Sequence, residues 1–302
     1  MMSLLGRADK TRVLVVTPAC NEAEHLPELA ASMEAQSLRP TQWLIVTNGC
    51  TDDTPAVADA IADRNPEFVR ALHLGSTGRR SFAAKAHAVE AGARSFGTEN
   101  CDLISCVDGD VILPANYFER VSEAFGANAK LGVAGGVYRE PVGTHGRIGG
   151  HHGGHVPGPA QVLRSAVYDE LGGYWPLEFG GLDAAACYGA RHLGWETYAI
   201  DDLEFRHSRV MGTGGGVSRV RAEYLKGRQD WDLGNAWWFE APKLVRKLFA
   251  SPVVLGGASR TVGFVRGAIH RTRGTDAAFV AAVRREQRLR TTSRLHSLRR
   301  RR

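Results

Sequence analysis

Unbroken apolar runs separated by polar, turn-forming segments dominate the first half of the chain. Val13 to Thr17 (VLVVT) is β-branched throughout and is closed by Pro18, a pattern that predicts a strand buried on both faces. Trp43 to Thr47 (WLIVT), Phe68 to Leu74 and Leu103 to Val107 repeat it. Helical spacing appears between these runs. Leu26, Leu29 and Met33 mark a first helix, which Asn21 is expected to cap, with Glu22 and Glu24 in its first turn. After the Asn48-Gly49 turn, Asp52 or Asp53 begins a second helix running through Ala62, and the Ala-rich stretch from Arg79 to Phe96 forms a third. A strand-helix alternation repeated four times in about 100 residues predicts a Rossmann-like, doubly wound α/β fold with a mostly parallel sheet.

The pattern changes after Gly132. GVAGGV reads as another core strand, and Gly143 to Gly158 (GTHGRIGGHHGGHVPG) then breaks all periodicity. Arg164 opens a helix that Gly172-Gly173 ends, and GGLDAAACYGARHLGW is a helix with Asp183 in its first turn. Thr197 to Ile200 and Leu203 to Phe205 are strands leading to His207, and from Tyr224 onward the chain reads as helices. The expected organisation is a tail over 1–10, an α/β domain over 11–210 and a basic, aromatic-rich helical region over 211–302.

Charge sharpens that division. The 302 residues carry a net charge of +6, but from Pro242 onward there are 16 Lys and Arg against 2 Asp and Glu, which leaves 22 against 30 before it. An acidic body with a basic tail points to a polyanion or an anionic membrane as partner of the tail. The five cysteines include no CxxC pair, which fits reduced thiols and disfavours a zinc site. Neither a signal peptide nor a spanning helix is expected, because Arg260 and Arg266 interrupt the most apolar stretch. The expected location is cytoplasmic, with peripheral contact at the inner face of the cell membrane.

The chemistry concentrates in DLISCVDGDVILP, residues 102–114. In near-extended backbone, positions i and i+2 point the same way, so Asp108 and Asp110 can aim two carboxylates at one hard cation while Gly109 lets a ligand approach the main chain. An acidic turn that merely ends a strand is the plainer reading of one Asp-x-Asp. The first strand is followed by PACNEAE, which lacks G-x-G-x-x-G and disfavours a dinucleotide-binding dehydrogenase. His151, His152 and His155 match no strong metal-ligand spacing, and their glycine-rich surroundings suit a loop over a cleft.

Taken together, TPACNEA, the strand ending in NGCTDDT, the Ala-rich helix with Gly92, and VDGD followed by Pro114 resemble family 2 glycosyltransferases of the GT-A fold, over roughly the first 210 residues. The resemblance implies a nucleotide-sugar donor and a divalent cation, Mn2+ or Mg2+. It implies that Pro18, Ala19, Asn21 and Glu22 line the nucleoside pocket, that Asn48 meets the base, that Asp108 meets ribose or metal, and that Asp110 is the principal metal ligand. Lys85 stands where relatives carry a basic residue near the nucleotide, and Arg79 and Arg80 compete with it. His207 stands where a third ligand occurs in a number of such enzymes, and imidazole favours Mn2+. Asp183 matches the second acid of the relatives' acidic pair, the catalytic base, while Leu182 replaces the first. Many relatives have an acidic residue where Thr47 or Asn48 stands, which leaves UDP, TDP and GDP sugars open.

The glycine run before Arg219 and Arg221 can deliver either arginine to the diphosphate. Trp231, Trp237, Trp238 and Phe239, next to Leu244, Leu248, Val253 and Leu255 and flanked by Lys243, Arg246, Lys247, Arg260, Arg266 and Arg271, have the composition of an interfacial helix on anionic lipid. Packing of the aromatics on the catalytic domain is the alternative. The C-terminal FVAAVRREQRLR resembles bacterial surface-polysaccharide enzymes of this family, which implies a glycan or lipid-linked acceptor. A sugar nucleotidyltransferase and a basic-tailed nucleic-acid binder are the competing classes. The first would want a Gly-rich basic loop after the first strand, and the acidic body opposes nucleic acid as partner.

Overall fold

A computed structural model describes residues 11–75, 81–139, 154–208, 218–248, 254–270 and 273–299, with 148–149 and 293–299 described in backbone only. Its first elements are β1 (Val13–Ala19), α1 (Leu26–Glu34), β2 (Gln42–Asn48), α2 (Thr54–Arg64), β3 (Val69–Leu74), α3 (Phe82–Phe96), β4 (Leu103–Val107) and β5 (Val111–Ile112). Then come α4 (Tyr117–Ala127), β6 (Leu131–Arg139), β7 (Ile148–Gly149), β8 (Ala160–Arg164), α5 (Ser165–Glu170), α6 (Leu182–His192) and β9 (Glu196–His207). The C-terminal helices are α7 (Arg219–Asp232), α8 (Trp237–Leu248), α9 (Leu255–His270) and α10 (Ala277–Arg299).

The strands form one sheet in the order β3-β2-β1-β4-β8-β6-β9-β5, with β7 beside β6. β1, β2, β3, β4, β6 and β9 run in one direction, whereas β8, β5 and β7 run against it. The sheet is therefore mostly parallel, with a reversal where β8 is inserted between β4 and β6. The unbroken apolar runs have the expected cause. Val13 and Val15 enter a core shared with α1, α2 and α4, while Leu14 and Val16 enter a second core shared with α3, α5 and α6. Every residue of these strands faces a helix layer, so alternation disappears.

Some local expectations need correction. Asn21 does not cap α1: the helix starts at Leu26 behind His25, with no side-chain cap bond, and the acid in its first turn is Glu28 rather than Glu22 or Glu24. Asn21 instead takes φ 58°, the left-handed region that Asn tolerates. The helix holds without a cap worth about 1 kcal/mol because Leu26, Leu29 and Met33 are fully buried, each contributing roughly 1.5–3 kcal/mol. α3 begins at Phe82, with the Ser81 hydroxyl accepting from the Ala84 amide; Arg79 and Arg80 lie outside the described residues. The two strands expected between Thr197 and Phe205 are one strand, β9, interrupted by a register shift at Gly136/Val137 of its partner β6.

In the C-terminal region α7 and α9 meet at glycines. A Cβ on Gly227 would stand 2.0 Å from the Arg260 carbonyl oxygen, and one on Gly263 would stand 2.2 Å from the Tyr224 carbonyl oxygen. Gly→Ala inside a helix ordinarily gains about 1 kcal/mol, whereas overpacking against backbone costs about 1–3 kcal/mol. The clash should win, so Gly227→Ala is expected to lower the thermal midpoint by several degrees. A midpoint that stays put or rises in a melting experiment would contradict this packing. Leu177, Ala185, Leu233, Phe279 and Val283 form a small core that seats α10 against α6, and Arg191 and Glu286 bridge the same two helices at 3.0 Å. No helix among the described residues is long and apolar enough to cross a membrane.

Candidate functional site

Pro18 and Ala19 end β1, Asn48 ends β2 and Asp108 directly follows β4, so parallel pairing gathers all four at one edge of the sheet. Side-chain bonds tie the loops there together. The Thr51 amide donates to Asn21 Oδ1 at 2.8 Å, and Asn21 Nδ2 donates to Thr51 Oγ1 at 3.1 Å. The Glu22 amide donates to Thr54 Oγ1 at 2.8 Å, and Asp52 accepts from the Thr54 amide, the Thr54 hydroxyl and the Ala23 amide. Burial raises the Asp52 pKa, but these bonds outweigh it and the net shift is downward. Asp52 is thus a structural carboxylate that clasps the two loops.

The Asp-Gly-Asp turn is held from both sides. The Asp108 amide donates to the Pro159 carbonyl at 2.9 Å, and the Val111 amide donates back to the Asp108 carbonyl at 3.3 Å. A Cβ on Gly109 would lie 3.0 Å from Glu22 Cγ, so the absence of a side chain at 109 lets the turn pack closely against the β1 loop. His207 arrives through pairing: β5 and β9 run antiparallel with Val111 opposite His207, and the Ser208 amide donates to the Asp110 carbonyl at 2.9 Å. This sets His207 Nε2 3.6 Å from Asp110 Oδ1, with both side chains 6% exposed.

One ligand atom each from Asp108, Asp110 and His207 lies within 4.8 Å of the other two. Octahedral bonds of about 2.1 Å separate adjacent ligands by about 3 Å and opposite ones by about 4 Å. Two carboxylates and an imidazole at this spacing fit a Mn2+- or Mg2+-sized ion after small side-chain rotations. Lys85, from α3, places Nζ 2.5 Å from Asp108 Oδ1. Burial pulls the Lys85 pKa down, yet the charge of Asp108 and, more weakly, of Asp183 carries it above the ordinary value, so the ammonium persists at neutral pH. Cys106, buried near Lys85, is pushed up to about 12 by burial and is a thiol at neutral pH.

Asp183 stands in the first turn of α6, behind Gly181 in the left-handed conformation. Its Oδ2 accepts from the Gly158 amide at 3.2 Å and lies 3.4 Å from His155 Nε2. Gly158 and Pro159 thereby link the two acidic centres: one peptide amide holds the Asp183 carboxylate, and the next carbonyl holds the Asp108 amide. The Gln161 amide group, bonded to the Val156 and Asp183 carbonyls, fixes the start of α6 from below.

The structure brings Asp108, Asp110, His207, Lys85 and Asp183 together, with Pro18, Ala19, Asn21, Glu22, Asn48 and Gly109 on the same rim. Arg219 is different. It is the exposed first residue of α7, and no contact among the described residues ties it to the carboxylates. Leu182, in the place of the relatives' first acid, is buried. His155 was not singled out for Asp183 by the sequence pattern, since a glycine-rich run carries no periodicity to reveal a pairing across 28 positions; His151 and His152 lie outside the described residues.

Residues 14–179 match the family described as Glycosyl transferase family 2. Among solved structures, the chain is similar to a mannosyltransferase, PcManGT from Pyrobaculum calidifontis, in complex with GDP-Man and Mn2+, at 17% identity and a TM-score of 0.58, covering 93% of this chain and 81% of that one. It is also similar to TarS of S. aureus in complex with UDP-GlcNAc, at 15% identity and a TM-score of 0.52, covering 84% and 72%. No curated protein sequence matches the chain.

Proposed function

The chain belongs to glycosyl transferase family 2, and on that premise we propose that it moves a sugar from a nucleoside diphosphate to the hydroxyl of a glycan or lipid-linked acceptor, in polysaccharide biosynthesis. One observation carries this reading: Asp108, Asp110 and His207 converge within 4.8 Å on a turn that the Gly158-Pro159 peptide joins to Asp183. A mannosyltransferase of the same fold was solved with GDP-Man and Mn2+, which supports the same donor class here.

In this reading Pro18, Ala19, Asn21, Glu22 and Asn48 line the nucleoside, and Asp108, Asp110 and His207 hold Mn2+ or Mg2+. An ion held there would supply positive charge to the departing diphosphate. Asp183 accepts the proton of the acceptor hydroxyl as that oxygen bonds to the anomeric carbon and the carbon–oxygen bond to the diphosphate breaks. Attack from the face opposite the leaving group inverts the anomeric centre. The Gly158 amide and His155 hold one oxygen of that carboxylate in place. Lys85 adds a fixed positive charge beside the phosphate path, and Arg219, at the N-terminus of α7, is assigned to the diphosphate. The helical region gives the enzyme a peripheral contact with anionic membrane on the cytoplasmic side.

A panel of UDP, TDP and GDP sugars, assayed with Mn2+, with Mg2+ and with chelator, tests the proposal. The expected product is free nucleoside diphosphate, formed only with a divalent ion present. Consumption of a donor only when pyrophosphate is added, with formation of nucleoside triphosphate and sugar 1-phosphate, would point to a sugar nucleotidyltransferase, and inertness toward every donor would contradict a transferase.

A further inference from the structure

Two groups stand out among the basic residues of the C-terminal region, and composition does not separate them. Lys247 meets Glu223 at 2.9 Å, Lys243 meets Glu240 at 2.6 Å, Arg260 meets Asp230 at 2.6 Å, and Arg290 meets Glu286 at 2.5 Å. These charges are neutralised inside the helical layer. Arg273, Arg284, Arg285 and Arg288 are not: none of the four forms an ion pair with a described residue, and all four line one cleft of about 780 Å³ between the 273–276 turn and the first turns of α10. Asp276 is the single acid in its wall, and its carboxylate is already engaged by the Phe279 amide at 2.7 Å.

Two of the guanidinium groups are fixed before any ligand arrives. Arg273 lies over the Trp231 ring at 3.8 Å, and Arg284 Nε donates to the Gly234 carbonyl at 3.2 Å. Burial and then the neighbouring charge of Arg284 lower the Arg273 pKa, tempered by Asp232, so like charges stand together in this wall. Planar guanidinium groups suit phosphate oxygens.

The cleft opens where an exposed apolar stripe ends. The buried face of α9 carries Gly256, Gly257, Gly263, Phe264 and Gly267. Its opposite face carries Leu255, Val262, Val265 and Ile269, from 46% to 72% exposed, at the spacing of one helix face. Arg273 follows the last residue of α9 by three positions, at most about 10 Å of chain. Trp231 anchors Arg273, which covers its ring at 3.8 Å, while the same ring packs on the buried face of α9 at Gly267. Hydrocarbon-seeking and phosphate-seeking residues thus follow each other within one short stretch of chain, a pairing that fits a bilayer boundary better than a soluble anion or a nucleic acid.

We propose that the arginine cleft binds the phosphate head groups of an anionic lipid surface, with the α9 stripe resting on the hydrocarbon beside them. This rests on the peripheral membrane contact proposed above and gives it a place. Sugar transfer to a soluble acceptor does not depend on it, so either reading can fail alone.

Co-sedimentation of the full chain with phosphatidylcholine vesicles, with and without about a third phosphatidylglycerol, tests it, since each cation near such a surface is worth about fivefold in binding. Partition is expected only with phosphatidylglycerol. The triple variant Arg273→Gln, Arg285→Gln, Arg288→Gln should lose roughly 100-fold, whereas the triple Lys variant at the same positions should retain most of it. Replacing Val262 and Ile269 with Ser should also weaken partition, and thermal melts identify any variant that fails to fold. Equal partition of the Gln and parent chains overturns the proposal. So does binding to short duplex DNA as tight as to the anionic vesicles at the same salt. A dimer that the Val262 and Ile269 replacements convert to monomer would make a second copy the partner of the stripe and overturn it too.

Discussion

Asp183→Asn is expected to lower kcat by about 10²–10⁴-fold while leaving the donor KM within a few-fold. The reason lies in what the substitution keeps. Asn has nearly the same shape, and its carbonyl oxygen can still accept from the Gly158 amide, now at 3.2 Å from Oδ2; the start of α6 stays in place. What disappears is the lone pair that takes the acceptor proton, together with the negative charge facing His155 at 3.4 Å. The competing role for an acid in the first turn of α6 is to complement the helix dipole, a contribution of about 0.3–1 kcal/mol to stability with no bearing on turnover. The two roles therefore separate in one set of measurements. A small fall in thermal midpoint with kcat unchanged would assign Asp183 to the helix alone.

Asp110→Ala is the second large effect. Donor turnover should fall by at least about 10³-fold, an effect of about 4 kcal/mol on the barrier. The carbonyl of residue 110 accepts from the Ser208 amide, a bond that does not involve the side chain, so the β5–β9 pairing is expected to survive loss of the carboxylate and of its contact with His207. Chelator should lower the parent enzyme to the level of the variant and leave the residual rate of the variant unchanged. Steady-state kinetics with and without EDTA checks both statements. Equal rates for parent and variant at saturating donor would detach Asp110 from catalysis.

The parts of this fold that were legible in the sequence share one cause. Strands buried on both faces carry unbroken apolar runs, so β1, β2 and β4 declared themselves, and the polar turns at their ends marked the edge where Pro18, Asn48 and Asp108 stand. Asp108 and Asp110 were readable because an i, i+2 relation is local. His207 became visible only through resemblance, since its place opposite Val111 depends on a two-residue strand, β5, too short to announce itself.

Contacts across long separations were not legible. β8 is inserted against the direction of its neighbours, and AQVLR has no feature that fixes its direction. Asn21 misled because Asn favours both a helix cap and a left-handed turn; the loop after β2, through Thr51, decided between them. In the C-terminal region, composition gave the excess of basic residues but not which were neutralised. Lys247 pairs with Glu223 and Arg260 with Asp230, partners 24 and 30 positions away, and only the fold gathers Arg273, Arg284, Arg285 and Arg288 into one cleft.

The claim on which the enzymatic reading stands is that Asp108, Asp110 and His207 share one divalent ion. Titration of the chain with Mn2+ in the presence of a nucleoside diphosphate, with free Mn2+ followed by electron paramagnetic resonance, addresses it without any turnover. One bound ion per chain is expected in the parent, lost or much weakened in both Asp110→Ala and His207→Ala. Binding of the same stoichiometry and strength in the parent and both variants would contradict it.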